Sequence, residues 1–514
     1  MDTPPILDHQ ELCTRINNWV HHGRRKDTYP PPPSMGSSPI SELPLELLSE
    51  IFLFCLPEEK YPTPSPTTAP MLLMHVCQAW RRVARHTQEL WSTIHLNYRS
   101  LDEDVPATGL WLSYSGEAPL SLSLSIDFNE RPHQSILNLL CRYAHRWKHV
   151  RFEFRHLSCP QVYNLAHALD NVPMLSTFEF RARDVSTSNI APITQLLSTA
   201  PHLKELTWVD DMADTETLLA LPLPRLSRLS LSMNYGRLDY LELLDQCENL
   251  EYIRLTRPSP DILPSQTPRL LTKLTSLNIA RDITGILNHL ILPSLKHVRV
   301  HLDADSSEDD NDRYSRLGVV TPAIASQKCW DPKDLIQLIE RSSCQVESLW
   351  INTPVTDDDL LACLQACDQS LKSLTVRGKQ PCSALVEMLT PRRAMLSSLS
   401  ASSEDMTCLC PRLSELVIDI RIPNSCSLVE LVERRAELAS QPDTTISPFN
   451  RLRLHYPAGH KDIPILRHIA IEANAKERNS MDLTIMESRT GNLRGSSAGR
   501  TGPYLYRRNI SSSR

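Results

Sequence analysis

Glycine is scarce: 13 residues in a chain of 514. Phosphate-cradling loops have little to be built from, and neither G-x-x-x-x-G-K-[ST] nor G-x-G-x-x-G occurs. Aromatic residues make up only 6%. No run of 18 apolar residues is present, so no membrane-spanning helix is expected. The first residues, MDTPPILDHQELC, lack the apolar stretch of a secretory signal. A strong charge of either sign is also missing. Lys plus Arg total 54 against 60 Asp plus Glu, a net charge of -6, which gives no electrostatic ground for a nucleic-acid or anionic-membrane partner. H-E-x-x-H is absent. Cys408 and Cys410 form C-x-C and Cys363 and Cys367 lie one helical turn apart, but neither has a second pair at zinc spacing. His21 and His22 stand in linker-like sequence. The 14 cysteines are scattered, several within apolar patterns as at Cys55, Cys77, Cys141 and Cys247, which is the usage of reduced, buried thiols. These absences predict an intracellular protein, cytoplasmic or nuclear, with no catalytic residue, cofactor or metal.

Proline is abundant, at 39, and with 41% apolar residues the chain reads as a packed body cut into many short elements. Residues 1–38 hold a short helical pattern, a basic cluster (Arg24, Arg25, Lys26) and the extended run Pro30 to Pro33. From Ile40, Leu47, Leu48, Ile51, Phe52 and Cys55 recur at helical spacing, with Ser41 as a candidate cap and Pro44 suited to the first turn. A proline-rich loop from Pro57 to Pro70 follows. Leu72, Leu73, Val76, Cys77, Trp80, Val83 and Ala84 then keep one helical face, and Trp91, Ile94 and Leu96 turn toward the alternation of a strand. Residues 100–133 read as connecting strands.

From about residue 134 one template recurs: apolar-x-x-apolar-x-apolar. It occurs as Leu175/Phe178/Phe180, Leu203/Leu206/Trp208, Leu226/Leu229/Leu231, Leu250/Ile253/Leu255, Leu274/Leu277/Ile279, Leu295/Val298/Val300, Val346/Leu349/Ile351, Leu371/Leu374/Val376 and Leu413/Leu416/Ile418. Pro173, Pro201, Pro224, Pro293 and Pro411 each stand two residues before the leading leucine. Leu203, Leu226, Leu250, Leu274 and Leu295 follow at steps of 23, 24, 24 and 21, the period of a leucine-rich repeat. Helical pieces such as YLELLDQCENL and KDLIQLIERSSC fill the gaps. A unit of one helix and one strand cannot bury its apolar face alone, so neighbours stack. The fold expected is α/β: a helical module at 39–99, then an irregular leucine-rich-repeat solenoid of short parallel strands and helices over 134–440. An acidic insertion at 303–330 carries Asp303, Asp305, Glu308, Asp309, Asp310 and Asp312. Residues 441–514 read as a degenerate repeat and a disordered tail. The run Asp357 to Asp359 reads as a helix cap.

Leu43-Pro44-Leu45-Glu46, then Ile51-Phe52, Val76-Cys77-x-x-Trp80-Arg81 and Leu90-Trp91-Ser92 follow one another in order. With the Trp-Leu and Pro-Leu strand of LWLSYSGEAPLSLSL, this segment resembles the F-box, and more narrowly the F-box-like proteins abundant in mushroom-forming fungi. The resemblance covers roughly residues 39–126. It implies a three-helix module that docks to the Skp-type adaptor of a Skp–cullin–F-box ubiquitin ligase, with Leu43, Pro44, Leu47, Leu48, Ile51 and Trp80 at or near that interface. It implies a substrate-recognition adaptor whose repeats hold an unknown client protein. A non-degradative interaction scaffold using the same repeat surface is the alternative. Client candidates alternate with the buried strand positions: Thr177, Glu179, Glu205, Thr207, Arg228, Ser230, Arg254, Ser276, Asn278, His297 and Arg299.

Overall fold

The computed structural model describes Ile40 and residues 43–488, apart from 99–100, 127–133, 155–164, 166–167, 169–170, 183–186, 211–213, 234–238, 257–266, 281–284, 302–330, 354, 378–382, 394–405, 419–427, 442–443, 458 and 476–480. The N-terminal linker, the acidic insertion and the last 26 residues (489–514) lie outside the described residues. The chain divides into two compact units, Met1–Leu238 and Asp239–Arg514.

The first unit opens with three helices: α1 (Leu45–Phe54), α2 (Met71–Val76) and α3 (Gln78–His86). The continuous helical face expected across 72–84 is interrupted at Cys77. Its backbone is extended (φ -156, ψ 173), and its sulfur accepts from the Trp80 N–H in the first turn of α3. α1 begins directly after Pro44, whose carbonyl accepts from Leu48 N at 3.1 Å. Phe52 packs its ring on Trp80 with centroids 4.9 Å apart. The Thr87 hydroxyl, at the end of α3, reaches Ser49 of α1 at 3.1 Å.

Parallel strands follow in the order β1 (Thr93–Tyr98), β2 (Leu120–Ile126), β3 (Trp147–Phe154), β4 (Thr177–Ala182), β5 (Glu205–Asp210) and β6 (Arg228–Met233). Connecting helices are α4 (Leu101–Tyr114), α5 (Gln134–Cys141), α6 (Thr187–Ser198) and α7 (Thr215–Leu219). The stretch 100–133 therefore holds a helix as well as a strand. Trp91 fixes the helical module to these repeats: its indole N–H donates to Ala84 O at 2.7 Å, and its ring meets Trp111 of α4 edge-on at 4.8 Å.

The second unit repeats the scheme with α8 (Tyr240–Asp245), β7 (Tyr252–Thr256), β9 (Ser276–Ala280), β11 (His297–His301), α9 (Pro332–Ser342), β12 (Ser348–Asn352), α10 (Asp357–Ala366), β13 (Ser373–Val376), α11 (Ser383–Leu389), β16 (Glu415–Ile418), α12 (Val429–Ala439), β17 (Arg451–Pro457), α13 (Asp462–Ala475) and β18 (Asp482–Ser488). The eight named strands are parallel and adjacent in that order. Two-residue pairs, β8 (Arg269–Leu270) with β10 (Leu290–Ile291) and β14 (Arg392–Arg393) with β15 (Met406–Thr407), lie beside this series. The parallel series runs beyond residue 440 to Ser488, so part of the segment read as a degenerate repeat completes the sheet.

The strand template works as period-two alternation. Leu206 and Trp208, Leu229 and Leu231, Leu277 and Ile279, and Leu374 and Val376 all point inward and are buried. Each such side chain contributes about 1.5–3 kcal/mol, but only when the neighbouring repeat covers it. The leading leucine of each repeat is buried as well, and the next residue enters a backbone ladder. Thr275 N donates to Glu251 O, Lys296 N to Thr275 O, Glu347 N to Lys296 O, Lys372 N to Glu347 O and Ser414 N to Lys372 O, all at 2.7–2.9 Å. Helices start where a short polar side chain can satisfy the first free N–H groups. Asp214 caps α7, Asp239 caps α8 and Asp331 caps α9. At α10 the cap is Thr356, which accepts from Asp359 N; Asp357 to Asp359 occupy the first turn instead.

Candidate functional site

Two surfaces carry the residues singled out by sequence. The first is α1. Leu48 and Phe52 face inward, with Leu48 only 4% exposed. The opposite stripe, Leu47, Ile51 and Phe54 at i, i+4 and i+7, stands open at 53%, 41% and 88%. Leu45 at the start of α1 is 59% exposed, and α2 adds Leu72 and Val76. Pro44 is exposed and Leu43 half-buried. Trp80 is half-buried against Phe52, so much of its ring serves packing. Of the six residues assigned to the adaptor face, then, Leu48 lies in the core, whereas Leu47, Ile51 and Pro44 are at the surface. Single exposed leucines are ordinary, whereas Leu47, Ile51 and Phe54 form a stripe along one helix.

The second surface is the outward face of the strands. In the first unit it neutralises itself. Glu179 sits between Arg181 at 2.6 Å and Arg151 at 3.8 Å, and Arg151 also meets Glu153 at 3.4 Å. Burial alone would raise the Glu179 carboxyl; the Arg181 and Arg151 charges outweigh it and hold the group below its ordinary range. The chain also covers this cluster. The Pro57–Pro70 segment lays Pro62 O on His95 N at 3.0 Å. Burial, and next the Glu179 charge, push the Tyr61 phenol up. The Tyr61 hydroxyl is buried without a hydrogen-bond partner among the described residues. Glu205 and Arg228, 4.0 Å apart, are more open.

In the second unit, Asn278 is buried rather than open to a client. Its amide oxygen pairs with His301 Nε2 at 2.8 Å, and its NH₂ donates to the Tyr252 hydroxyl at 3.4 Å. Arg254 is half-buried and Arg299 exposed. Sequence reasoning missed Trp350 and Arg377. The Arg299 and Arg377 guanidiniums lie 5.7 and 5.6 Å from the Trp350 ring centroid, and His301 meets the same ring edge-on at 5.5 Å. Trp350 occupies the intervening position of the Val346/Leu349/Ile351 template, so the rule that chose Arg299 also reaches it.

For bond-making chemistry, Cys141, Cys247, Cys363 and Cys367 are buried thiols pushed up to about 12 by burial, the opposite of an activated nucleophile. Cys55 and Cys77 are exposed, not buried in the apolar pattern around them. Among the described residues, no group of three or more His, Cys, Asp or Glu is placed to hold a metal ion. A G-x-S-x-G spacing occurs from Gly495 to Gly499. It lies outside the described residues. Among the described residues no helix is long and apolar enough to cross a membrane.

No family model matches the chain, and no curated protein matches it. Among solved structures it is similar to one described as "Crystal structure of Rad7 and Elc1 complex in yeast", at 12% identity and a TM-score of 0.26, over 75% of this chain and 90% of that one. A likeness at that TM-score carries no argument about function, and the surfaces of this chain have to supply it.

Proposed function

We propose that the chain is the substrate-recognition adaptor of a Skp–cullin–F-box type ubiquitin ligase. The helical module docks the Skp-type adaptor, and the repeats hold a client protein. The observation that carries the reading is the apolar stripe Leu47, Ile51 and Phe54, left open on a helix that packs inward through Leu48 and Phe52. It stands beside the entry Leu43-Pro44, where the resemblance to the F-box places the adaptor contact. Burying three such side chains against a partner contributes several kcal/mol, at about 1.5–3 kcal/mol each. In this reading the chain supplies no bond-making group. Its contribution is to raise the effective concentration of a client near an enzyme carried by another chain.

The test is a pull-down with purified Skp-type adaptor, comparing wild type with Leu47→Asp and with Leu47→Asp/Ile51→Asp. Both positions face solvent, so the variants keep the wild-type fold. Capture by wild type with at least ~30-fold weaker binding by the double variant is expected, since central apolar anchors are worth about 2 kcal/mol or more each. A folded wild type that captures no adaptor sinks the ligase reading. Equal capture by wild type and variants sinks this placement of the interface.

A further inference from the structure

The first unit carries a segment of its own on the strand face where a client is expected. Between α1 and α2, residues 57–70 form neither helix nor strand. Their start reaches β1, the first strand of the sheet, whose outer edge pairs with no strand among the described residues. There Pro62 O accepts the His95 N–H at 3.0 Å. Lys60 lies over the Tyr61 ring, its Nζ 5.4 Å from the centroid. This pair reaches across to β3 and β4. Burial and then the Glu179 charge push the Tyr61 phenol up, with Arg151 opposing them. Against burial, Arg181, Arg151 and then Lys60 hold the Glu179 carboxyl down. The side chains there are closed off: Glu179 is 13% and Arg151 18% exposed. One and two strands beyond Glu179, Glu205 and Arg228 stand open at 46% and 43%.

We infer that residues 57–70 are a removable strap that keeps this part of the strand face closed, and that a client displaces it with an extended segment bearing an aromatic side chain. The strap is lightly attached. Among the described residues, the bond from His95 is the one backbone hydrogen bond that ties 57–67 to the strands. The Tyr61 hydroxyl is buried without a partner, a cost that offsets part of what its ring gains. Beneath it lie ion pairs, which hold one another in place without a cover. Both ends are fixed: Leu56 N bonds to Leu53 O, and Leu72 N to Thr68 O. The strap can therefore lift between two anchored helices, and its tether returns it at high effective concentration. Lifting frees the edge N–H of His95 and the space of the Tyr61 ring. An extended peptide that joins a sheet edge supplies a backbone carbonyl to such an N–H and a side chain to such a space. The inference rests on reading the repeats as the client-binding body, but not on the adaptor contact.

The experiment uses the full chain in two ways. In wild type, hydrogen exchange should show the His95 amide exchanging at least a hundredfold faster than the amides of β3 and β4, because lifting the strap exposes it without unfolding the strands. A His95 amide as protected as those of β3 would mean that the strap is an integral part of the fold, and would overturn the inference. The second measurement is fluorescence polarisation with a labelled peptide of residues 58–67, EEKYPTPSPT. Its targets are wild type and a full-length variant in which those ten residues are replaced by alternating Gly and Ser. The peptide should bind the variant at least tenfold more tightly than wild type, whose own strap competes. The same peptide carrying Tyr61→Ala should lose at least tenfold. Equal binding to both chains, no binding to a folded variant, or indifference to Tyr61→Ala overturns the inference. Should the variant not fold, the exchange of His95 in wild type decides alone. Leu47→Asp should leave both readouts unchanged, so failure of the adaptor contact and failure of the strap are read separately.

Discussion

Glu179 shows how one residue can look functional in sequence and structural in the fold. Strand alternation places it outward, where a client would meet it. The structure surrounds it with Arg181 and Arg151 and lays the Tyr61 segment nearby. Burial opposes its ionisation, and the two arginines outweigh burial, so its folded-state pKa lies below the ordinary 4.5. The unfolded chain therefore takes up the proton more readily. The stability this carboxylate contributes is fully present above about pH 4.5 and is lost as pH falls through the lower folded-state value. Glu179→Gln should cost about 2 kcal/mol at pH 7, the worth of charge-assisted hydrogen bonds. It should also flatten the fall in stability below pH 4.5. Urea denaturation at pH 7 and at pH 3.5 measures both, and a variant with the wild-type pH slope would show that Glu179 is already solvated. The open pair Glu205 and Arg228, by contrast, should contribute little.

At the scale of elements, the strands were the legible part. Nine of them repeat apolar-x-apolar with a leucine, or valine at Val346, three residues ahead, and the inward positions are the ones the template names. The helices were harder to read for identifiable reasons. Met71 to His86 keeps one apolar phase across the break at Cys77, so periodicity cannot register a single extended residue. α4 contains Pro106 and opens with acidic residues, which hide its helical pattern in a stretch that reads as connecting strands. In α1, apolar residues lie on more than one face, and pattern alone cannot tell that Leu48 is packed while Leu47 is open. Arg435 in α12 was invisible altogether, because an arginine beside Arg434 in VERRAEL reads as solvent-facing. It is fully buried. Its guanidinium donates to Leu409 O at 3.0 Å, Cys410 O at 2.8 Å, Leu413 O at 3.1 Å and Leu389 O at 3.3 Å, tying the turn before β16 to the end of α11. Arg435→Ala leaves these buried carbonyls unmatched and should cost about 3–5 kcal/mol. Arg435→Lys should not restore it, because a compact ammonium cannot span acceptors on both sides of a planar fork. Arg434→Ala, which removes an exposed bridge to Glu430 at 2.9 Å and a long hydrogen bond to Pro391 O at 3.5 Å, should cost no more than about 1 kcal/mol. Denaturation midpoints of the three variants decide this. Equal losses for Arg434→Ala and Arg435→Ala would mean that the buried network is not what stabilises the turn.

At the scale of the whole molecule, a repeat chain is stabilised by contacts between neighbours, so damage should spread by adjacency rather than everywhere at once. Leu374 in β13 is fully buried, with β12 and β16 on either side. Leu374→Ala should cost about 2–5 kcal/mol through lost burial and the cavity left behind. The two compact units divide at Leu238 and Asp239, and Leu374 belongs to the second. Hydrogen exchange should therefore quicken in β12, β13 and β16 while β3, β4 and β5 keep their protection. This bears directly on function. The apolar stripe of α1 belongs to the first unit, and Arg299, Trp350 and Arg377 to the second. If the units are energetically separate, substitutions on the strand face of the second unit leave the helical module folded and its exposed stripe intact. If exchange quickens equally in β4 and β13, the chain melts as one cooperative body, and every change to that strand face is also a change to the helical module.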